Sequence, residues 1–269
     1  MINLNIPFDM NKTQGYLLTC LGASYIYDSL DLIQTLRHHG DLRPVDVIVN
    51  PEDEKLANNL MVFNRVMVYS VADSRFYNKS KPALTFNILR MDLYKFLKFD
   101  YTMAIDIDML CSRPTDFAWN ALISHGQWFT ALGRLDSPSW HWGQWGKICK
   151  AININPIETH GGLLFFNNDY ISDSDTFLKK LWYCFNNYSS LGMLSKYGGT
   201  APDEPMWAFA CHYLNYKPLV GPPWGKGIPI MRHNSKISDL DQGHCFHHMF
   251  CKNHANEFKA LKNHILLNT

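Results

Sequence analysis

Residues 101–114 read YTMAIDIDMLCSRP, and this stretch decides the fold class. Tyr101 to Ile105 is mostly apolar with no alternation, the pattern of a strand covered on both faces in a mostly parallel sheet. Asp106 and Asp108 then flank Ile107, and a Pro-marked turn follows at Pro114. Two carboxylates where a buried strand ends suit a hard divalent cation. Mg²⁺ and Mn²⁺ take oxygen ligands, usually one or two carboxylates plus substrate phosphates. The tripeptide by itself says little, since Asp173-Ser174-Asp175 and Asp239-Leu240-Asp241 repeat its spacing. Context separates the three. Asp173 and Asp175 precede the apolar-periodic run TFLKKLWYCF and read as acids at a helix N-terminus. Asp239 and Asp241 sit in polar SKISDLDQGH and read as loop acids. Only the first pair ends a strand.

The segments upstream alternate. GYLLTCLG (15–22) reads as a strand, SYIYDSLDLIQTLRHHG (24–40) as a helix closed by Gly40, and VDVIVN (45–50) as a strand. A helix over 52–63, a strand over 65–71 and a strong helix over 82–99 follow. Such alternation predicts a doubly wound α/β sheet whose ligands bind beyond the carboxyl ends of the strands. The second half is less regular. Strands are expected at 128–133 and 161–168, with a Trp- and Gly-rich segment between them. Helices are expected at 172–187 and 203–214, a short strand at 244–250, and an amphipathic helix near the end. One domain over 1–269 is expected, 15–112 forming the nucleotide half and 113–269 the acceptor side.

Composition narrows the function. With 46% apolar and 18% charged residues the chain is not disordered, and a formal charge of +1 disfavours nucleic-acid binding as the main activity. No run of eighteen apolar residues and no basic-then-apolar leader is present, so a soluble, cytoplasmic protein is expected. The 7 cysteines are scattered without a C-x-x-C pair, as in a reducing compartment.

The order of these segments resembles that of GT-A glycosyltransferases, most of all the glycogenin-like, family 8 group of retaining enzymes. YLLTCLGASYIYDSLDLIQTL is similar to their opening strand and helix, and LTFNILRMDLYKFLKFDYTMAIDIDMLC to the helix leading into their metal motif. HGGLLFFNN resembles their N-S-G-V strand, DEPMWAF their D-Q-x-x-L-N segment, and HHMFCKNH is a loose counterpart of H-F-x-G-x-x-K-P-W. The resemblance implies a Rossmann-like GT-A fold and transfer of a sugar, with retention, from a nucleotide sugar, expected to be a UDP-sugar. It implies that Asp106 and Asp108 bind Mn²⁺ or Mg²⁺, with Asp106 also near the ribose and His248 as third ligand. Thr19, Leu21 and Ala23 would line the nucleotide pocket, Arg90 would reach the diphosphate or sugar, and Gly161 and Gly162 would border the donor sugar. Asp203 and Glu204 would face that sugar, although the family usually has Gln at the second position. Lys252 would bind phosphate, but the K-P-W end is missing and Lys226 is an alternative.

Other readings stay open on the residues alone. Arg90 also fits a solvated helix face. His244, His247 and His248 also fit partly buried histidines, and Cys245, Cys251, His247 and His254 a structural zinc site of non-standard spacing. Trp140, Trp142 and Trp145 suit stacking on an acceptor sugar or base, or lid packing. The acceptor is a glycan, a lipid-linked glycan, a protein or a modified nucleobase. Lys252, Lys259 and Lys262 offer a basic face on the last helix for an anionic acceptor or membrane surface, or a solvated face. A nucleotidyltransferase would need a basic, Gly-rich phosphate loop where this chain has only LGASY. A catalytically silent nucleotide- or sugar-binding protein is the remaining alternative, against which the intact acids speak.

Overall fold

The computed structural model describes residues 12–71, 82–134, 153, 155–191, 203–220, 230–233, 236–248 and 255–268. Two fully buried strands begin the chain, β1 (Gln14–Cys20) and β2 (Val45–Val49), joined by helix α1 (Ala23–His38). Gly40 closes α1 at a φ of 75°, donating to the Arg37 carbonyl while Asp41 donates to that of Leu36, a left-handed glycine terminus. The segment expected as one helix over 52–63 is instead broken into a 3₁₀ turn (Pro51–Asp53), α2 (Glu54–Ala57) and a second 3₁₀ turn (Asn58–Val62). Asn58 and Asn59 are weak helix formers, and only Ala57 and Leu60 are buried, so little packing holds a longer helix there. Strand β3 (Val66–Ser70) follows.

The helix expected over 82–99 also stops early. Helix α3 (Pro82–Met91) ends at Asp92, which leaves helical geometry with ψ near 10°, and a 3₁₀ turn (Leu93–Phe96) redirects the chain into β4 (Tyr101–Ile105). After β5 (Met109–Cys111) and α4 (Asp116–Ile123) come β6 (Phe129–Arg134) and β7 (Glu158–Asn167). Next are α5 (Ser174–Asn186), entered through a 3₁₀ turn, α6 (Asp203–Tyr213) and β8 (Leu219–Val220). Two short strands, β9 (Met231–His233) and β10 (Phe246–His248), precede the last helix, α7 (Ala255–Asn268).

Seven strands form one sheet in the order β3-β2-β1-β4-β7-β6-β8, so both halves of the chain contribute to it. β3, β2, β1 and β4 run parallel, while β7 is antiparallel to β4 and β6. Alternate residues face opposite layers. Tyr16, Leu18, Val45 and Val47 pack with α1 and α4, whereas Leu17, Ile48 and Ala104 pack with α3, α5 and α6. The chain runs outward from β1 through β2 to β3 and then returns to β4, so the strand order reverses between β1 and β4. Open α/β sheets bind ligands beyond the carboxyl ends of the strands at such a reversal.

A second, three-stranded sheet, β5-β10-β9, was not expected from the sequence. The strand predicted over 244–250 proves to be three residues, Phe246–His248, paired antiparallel with β5 and parallel with β9. Helix α7 buries Phe258, Leu261 and Ile265 with Leu110 and Leu240, and its Lys262 meets Asp31 of α1 at 2.5 Å. That lysine is therefore paired with α1. No helix among the described residues is long and apolar enough to cross a membrane.

Candidate active site

Asp106 is the first residue beyond β4, at the reversal point, and its amide donates to the Gly162 carbonyl at 2.8 Å. Continuing the β1/β4 register, in which Leu17 faces Ala104, sets Thr19 beside Asp106. Leu21 and Ala23 follow at the turn into α1, half-buried and exposed respectively. These nucleotide-pocket candidates thus share one sheet end with the acid pair.

Asp106 and Asp108 converge with a residue 140 positions beyond Asp108. In the β5/β10 ladder His248 faces Met109, which brings its Nε2 to 3.1 Å from Asp108 Oδ1. One ligand atom from each of Asp106, Asp108 and His248 lies within 4.8 Å of the other two. Two carboxylate oxygens and one imidazole nitrogen, gathered at this spacing, could hold a single metal ion. His247, on the opposite face of β10, is buried and meets the Ser112 hydroxyl at 2.9 Å, and the Cys245 thiol donates to the Pro114 carbonyl. Both zinc-reading residues that are described are thus engaged away from the acid pair; Cys251 and His254 lie outside the described residues.

Arg90 organises the other side. It is 2% exposed, so the solvated-helix reading does not hold. Its Nη1 donates to Asp106 Oδ1 at 2.9 Å, its Nε to Asp203 Oδ2 at 3.2 Å, and its Nη2 to the Gly161 carbonyl. A planar guanidinium with donors in a fixed fork is suited to such three-way anchoring, which an ammonium would not reproduce. Glu204, next to Asp203 at the start of α6, accepts from the Gly161 amide at 2.9 Å, and its own carbonyl accepts from the Thr159 hydroxyl. Arg90 and Glu204 together grip both polar groups of Gly161.

Electrostatics follow from burial. Desolvation raises the Asp106 carboxyl to about 6, with Arg90 opposing the rise and Asp108 adding to it. Burial disfavours the charged His248 ring, but Asp108, Asp106 and Glu204 outweigh it and hold the ring above its usual value. For Arg90, too, two carboxylates outweigh burial and keep the guanidinium charged.

β7 begins at Glu158, three residues before the expected start, so Gly161 and Gly162 lie inside a strand. The β6/β7 register shifts between Ala131 and Leu132, a bulge beside the site of the kind that re-aims groups next to active sites. Both glycines are needed for space. A Cβ on Gly161 would lie 3.0 Å from Glu204 Cγ and 3.1 Å from Arg90 Nη2, and one on Gly162 would lie 2.7 Å from the His160 ring. His160 escaped the sequence reading. Its Nδ1 accepts from the Gly162 amide and its ring packs edge-on against His248, with centroids 5.0 Å apart. A His immediately before the Gly pair was the available signal. Lys226, Lys252, Trp140, Trp142 and Trp145 lie outside the described residues.

No family model and no curated protein matches the sequence. The fold is similar to solved structures at low identity. Mouse xyloside xylosyltransferase 1 superposes with a TM-score of 0.62 and 11% identity, covering 89% of this chain and 98% of its own. The galactosyltransferase LgtC, in complex with donor and acceptor sugar analogs, gives 0.61 and 12% over 93% of this chain and 95% of its own. The glycosyltransferase GlyE of Streptococcus pneumoniae TIGR4 gives 0.58 and 11% over 95% of this chain and 61% of its own. The chain has the GT-A glycosyltransferase fold, a mostly parallel seven-stranded sheet flanked by helices.

Proposed function

We propose that this protein is a metal-dependent glycosyltransferase that moves a sugar from a nucleotide sugar, a UDP-sugar in our reading, to a glycan, lipid-linked glycan, protein or modified nucleobase, in the cytoplasm. One observation carries the proposal. Asp106, Asp108 and His248 meet beyond the carboxyl end of β4 at the reversal of strand order, with Arg90 and two buried acids beside them.

Asp106, Asp108 and His248 would hold Mn²⁺ or Mg²⁺. Such an ion supplies charge and Lewis-acid stabilisation of a leaving diphosphate, worth several kcal/mol. The protein's own groups do the rest. Thr19, Leu21 and Ala23 would border the nucleoside at the end of β1. Gly161 and Gly162 would border the donor sugar indirectly, their missing side chains leaving room for Glu204, Arg90 and His160 to pack against β7. As the glycosidic bond breaks, positive charge grows on the sugar ring, and fixed carboxylates near it favour that state over the ground state. Asp203 and Glu204 each have one oxygen anchored, to Arg90 and to the Gly161 amide, so neither must reorganise during the reaction. Retention of configuration, by front-face attack or through a short-lived intermediate, is part of the proposal.

The test is a screen of nucleotide sugars for Mn²⁺-dependent hydrolysis and transfer, with Asp108→Ala in parallel. One donor should be consumed at least a hundredfold faster by the native chain than by the variant, and NMR of the product should show the donor's anomeric configuration. Calorimetric titration with UDP adds a check, because binding that ignores Mn²⁺ would remove the metal from the proposal. Donor turnover unaffected by Asp108→Ala would remove the site.

A further inference from the structure

Part of β7 stands outside its ladder with β6. Ala131 faces Leu164 and Leu132 faces His160, so residues 161–163 are passed over at the bulge. Bulged residues lose their ladder partners, and buried backbone groups must then find others. Here the site supplies them. The Gly161 amide donates to Glu204 Oε1 at 2.9 Å, and the Gly161 carbonyl accepts from Arg90 Nη2. The Gly162 carbonyl accepts from the Asp106 amide at 2.8 Å, and the Gly162 amide donates to His160 Nδ1 at 2.9 Å. Asp106, Arg90 and Glu204 already have places in the transfer reaction. His160 has none.

We infer, on the reading of Asp106, Asp108 and His248 as metal ligands, that His160 is a positioning residue for that centre. It steadies the bulge that carries Asp106 and fixes the ring plane of His248. Two contacts support this, each leading to a different ligand. The first runs through the backbone. Glycine samples a wide range of φ and ψ, so a buried Gly pair keeps one conformation only where its surroundings hold it. The peptide between Gly161 and Gly162 is gripped on both sides, its carbonyl by Arg90 and its amide by His160. Both neighbours of that peptide lead to Asp106. Arg90 Nη1 holds the Asp106 carboxylate at 2.9 Å, and the Gly162 carbonyl holds the Asp106 amide.

The second contact is direct. The His160 and His248 rings meet edge-on, with centroids 5.0 Å apart and planes at 86°, a preferred arrangement for aromatic pairs. Both rings are buried, at 5% and 4% exposure. The contact therefore restrains the turning of a ring whose Nε2 must stay aimed at Asp108 Oδ1, 3.1 Å away. Gly162 makes room for it, since a Cβ there would lie 2.7 Å from the His160 ring and from Met109 Cε. The bond to Gly162 also sets the state of the ring. A backbone N–H only donates, so Nδ1 is the acceptor and the neutral ring carries its proton on Nε2. Groups that orient metal ligands matter nearly as much as the ligands, and losing one costs about 10–100-fold in metal affinity.

The test measures Mn²⁺ affinity of the full chain by calorimetry and electron paramagnetic resonance, alongside urea midpoints. Two substitutions separate the two contacts. His160→Asn keeps an acceptor for the Gly162 amide and removes the ring from His248, whereas His160→Phe keeps the ring and removes the acceptor. Each is expected to weaken Mn²⁺ binding about tenfold or more. The loss in His160→Asn should vanish in a His248→Ala background, where no ring is left to orient. Long-range ¹H–¹⁵N spectra of the metal-free native chain should show the His160 proton on Nε2. A merely structural residue would lower the urea midpoints and leave Mn²⁺ affinity alone, so native affinity in either folded variant overturns the inference. A His160→Asn loss that persists in full beside His248→Ala, or a proton on Nδ1, overturns it equally. Should His160→Phe not fold, His160→Asn and its His248→Ala background decide. A native chain that binds no Mn²⁺ would remove the metal reading and this role with it, whereas the other failures leave the metal site standing.

Discussion

Arg90 is the residue on which the site's geometry turns. Its guanidinium bonds two carboxylates and a backbone carbonyl from three different segments, and its partner Asp203 is 113 positions away. Removing it leaves Asp106 and Asp203 without their counter-charge in a largely buried setting. Loss of one member of a buried ion pair costs about 3–5 kcal/mol. Arg90→Met is therefore expected to lower unfolding stability in urea by that order, and Arg90→Lys by less, since the charge remains but the fork does not. An Arg90→Met protein as stable as the native chain would contradict the buried triad. Gly161 gives a second prediction with the opposite signature. In Gly161→Ala the new methyl crowds Glu204, Arg90 and Asp203 at 3.0–3.2 Å, and small displacements of catalytic groups cost on the order of 10²-fold in rate. Turnover of the donor found in the screen should fall by about that factor while the urea midpoint moves little.

At the scale of elements, the three-residue strands β5 and β10 set the acid–histidine contact. The ladder fixes His248 opposite Met109, so Asp108 meets His248 through register. Phe246 anchors that ladder. It is fully buried, and its amide donates to the Ile230 carbonyl at 2.8 Å. Phe246→Ala should cost about 3–5 kcal/mol through transfer and cavity terms. Where the variant is still folded, its Mn²⁺ affinity in calorimetry should drop toward that of Asp108→Ala, and native affinity would show that β10 does not position His248. The same elements explain what the sequence disclosed. β4 and its acids were legible because five mostly apolar residues before two carboxylates carry a signal of their own. β10 was legible only as a short strand over 244–250, and its pairing with β5 was not, because three residues are too few to show a period and the partner lies over a hundred positions upstream. Asp239, read as a loop acid, is buried and accepts from the Lys236 amide at 2.7 Å to start a 3₁₀ turn, a local bond that polarity alone does not show. Arg90 stood open between a diphosphate or sugar contact and a solvated helix face, and only the arrival of Asp203 from α6 shows it buried among carboxylates.

At the scale of the whole molecule, five of the seven cysteines lie among the described residues and sample both layers of the core. Cys20 ends β1, Cys111 lies in β5, Cys184 in α5, Cys211 in α6, and Cys245 just before β10, all free and buried. Burial is the main cause that pushes each thiol up, to about 12 for Cys20 and Cys184 and about 11 for Cys245. The thiolate is the reactive form, so none of the five should label in the native state at pH 8. Peptide mapping after alkylation should show these positions modified only as fast as the chain unfolds, and at similar rates, because one sheet joins the two layers. Fast labelling of Cys184 or Cys211 alone would mean that α5 and α6 open separately from the sheet. The same shifts give a pH dependence of known sign. As pH rises past the ordinary thiol value of 9.0, the unfolded chain loses protons that the folded chain retains. The folded state then binds more protons, so stability declines with rising pH from about 9 toward 12 and is unaffected by these groups below about 8. Urea midpoints measured between pH 7 and 10 should therefore be flat at first and then fall. A Cys20→Ser, Cys184→Ser double variant should show a shallower fall, and an equally steep one would assign the alkaline loss to groups other than these thiols.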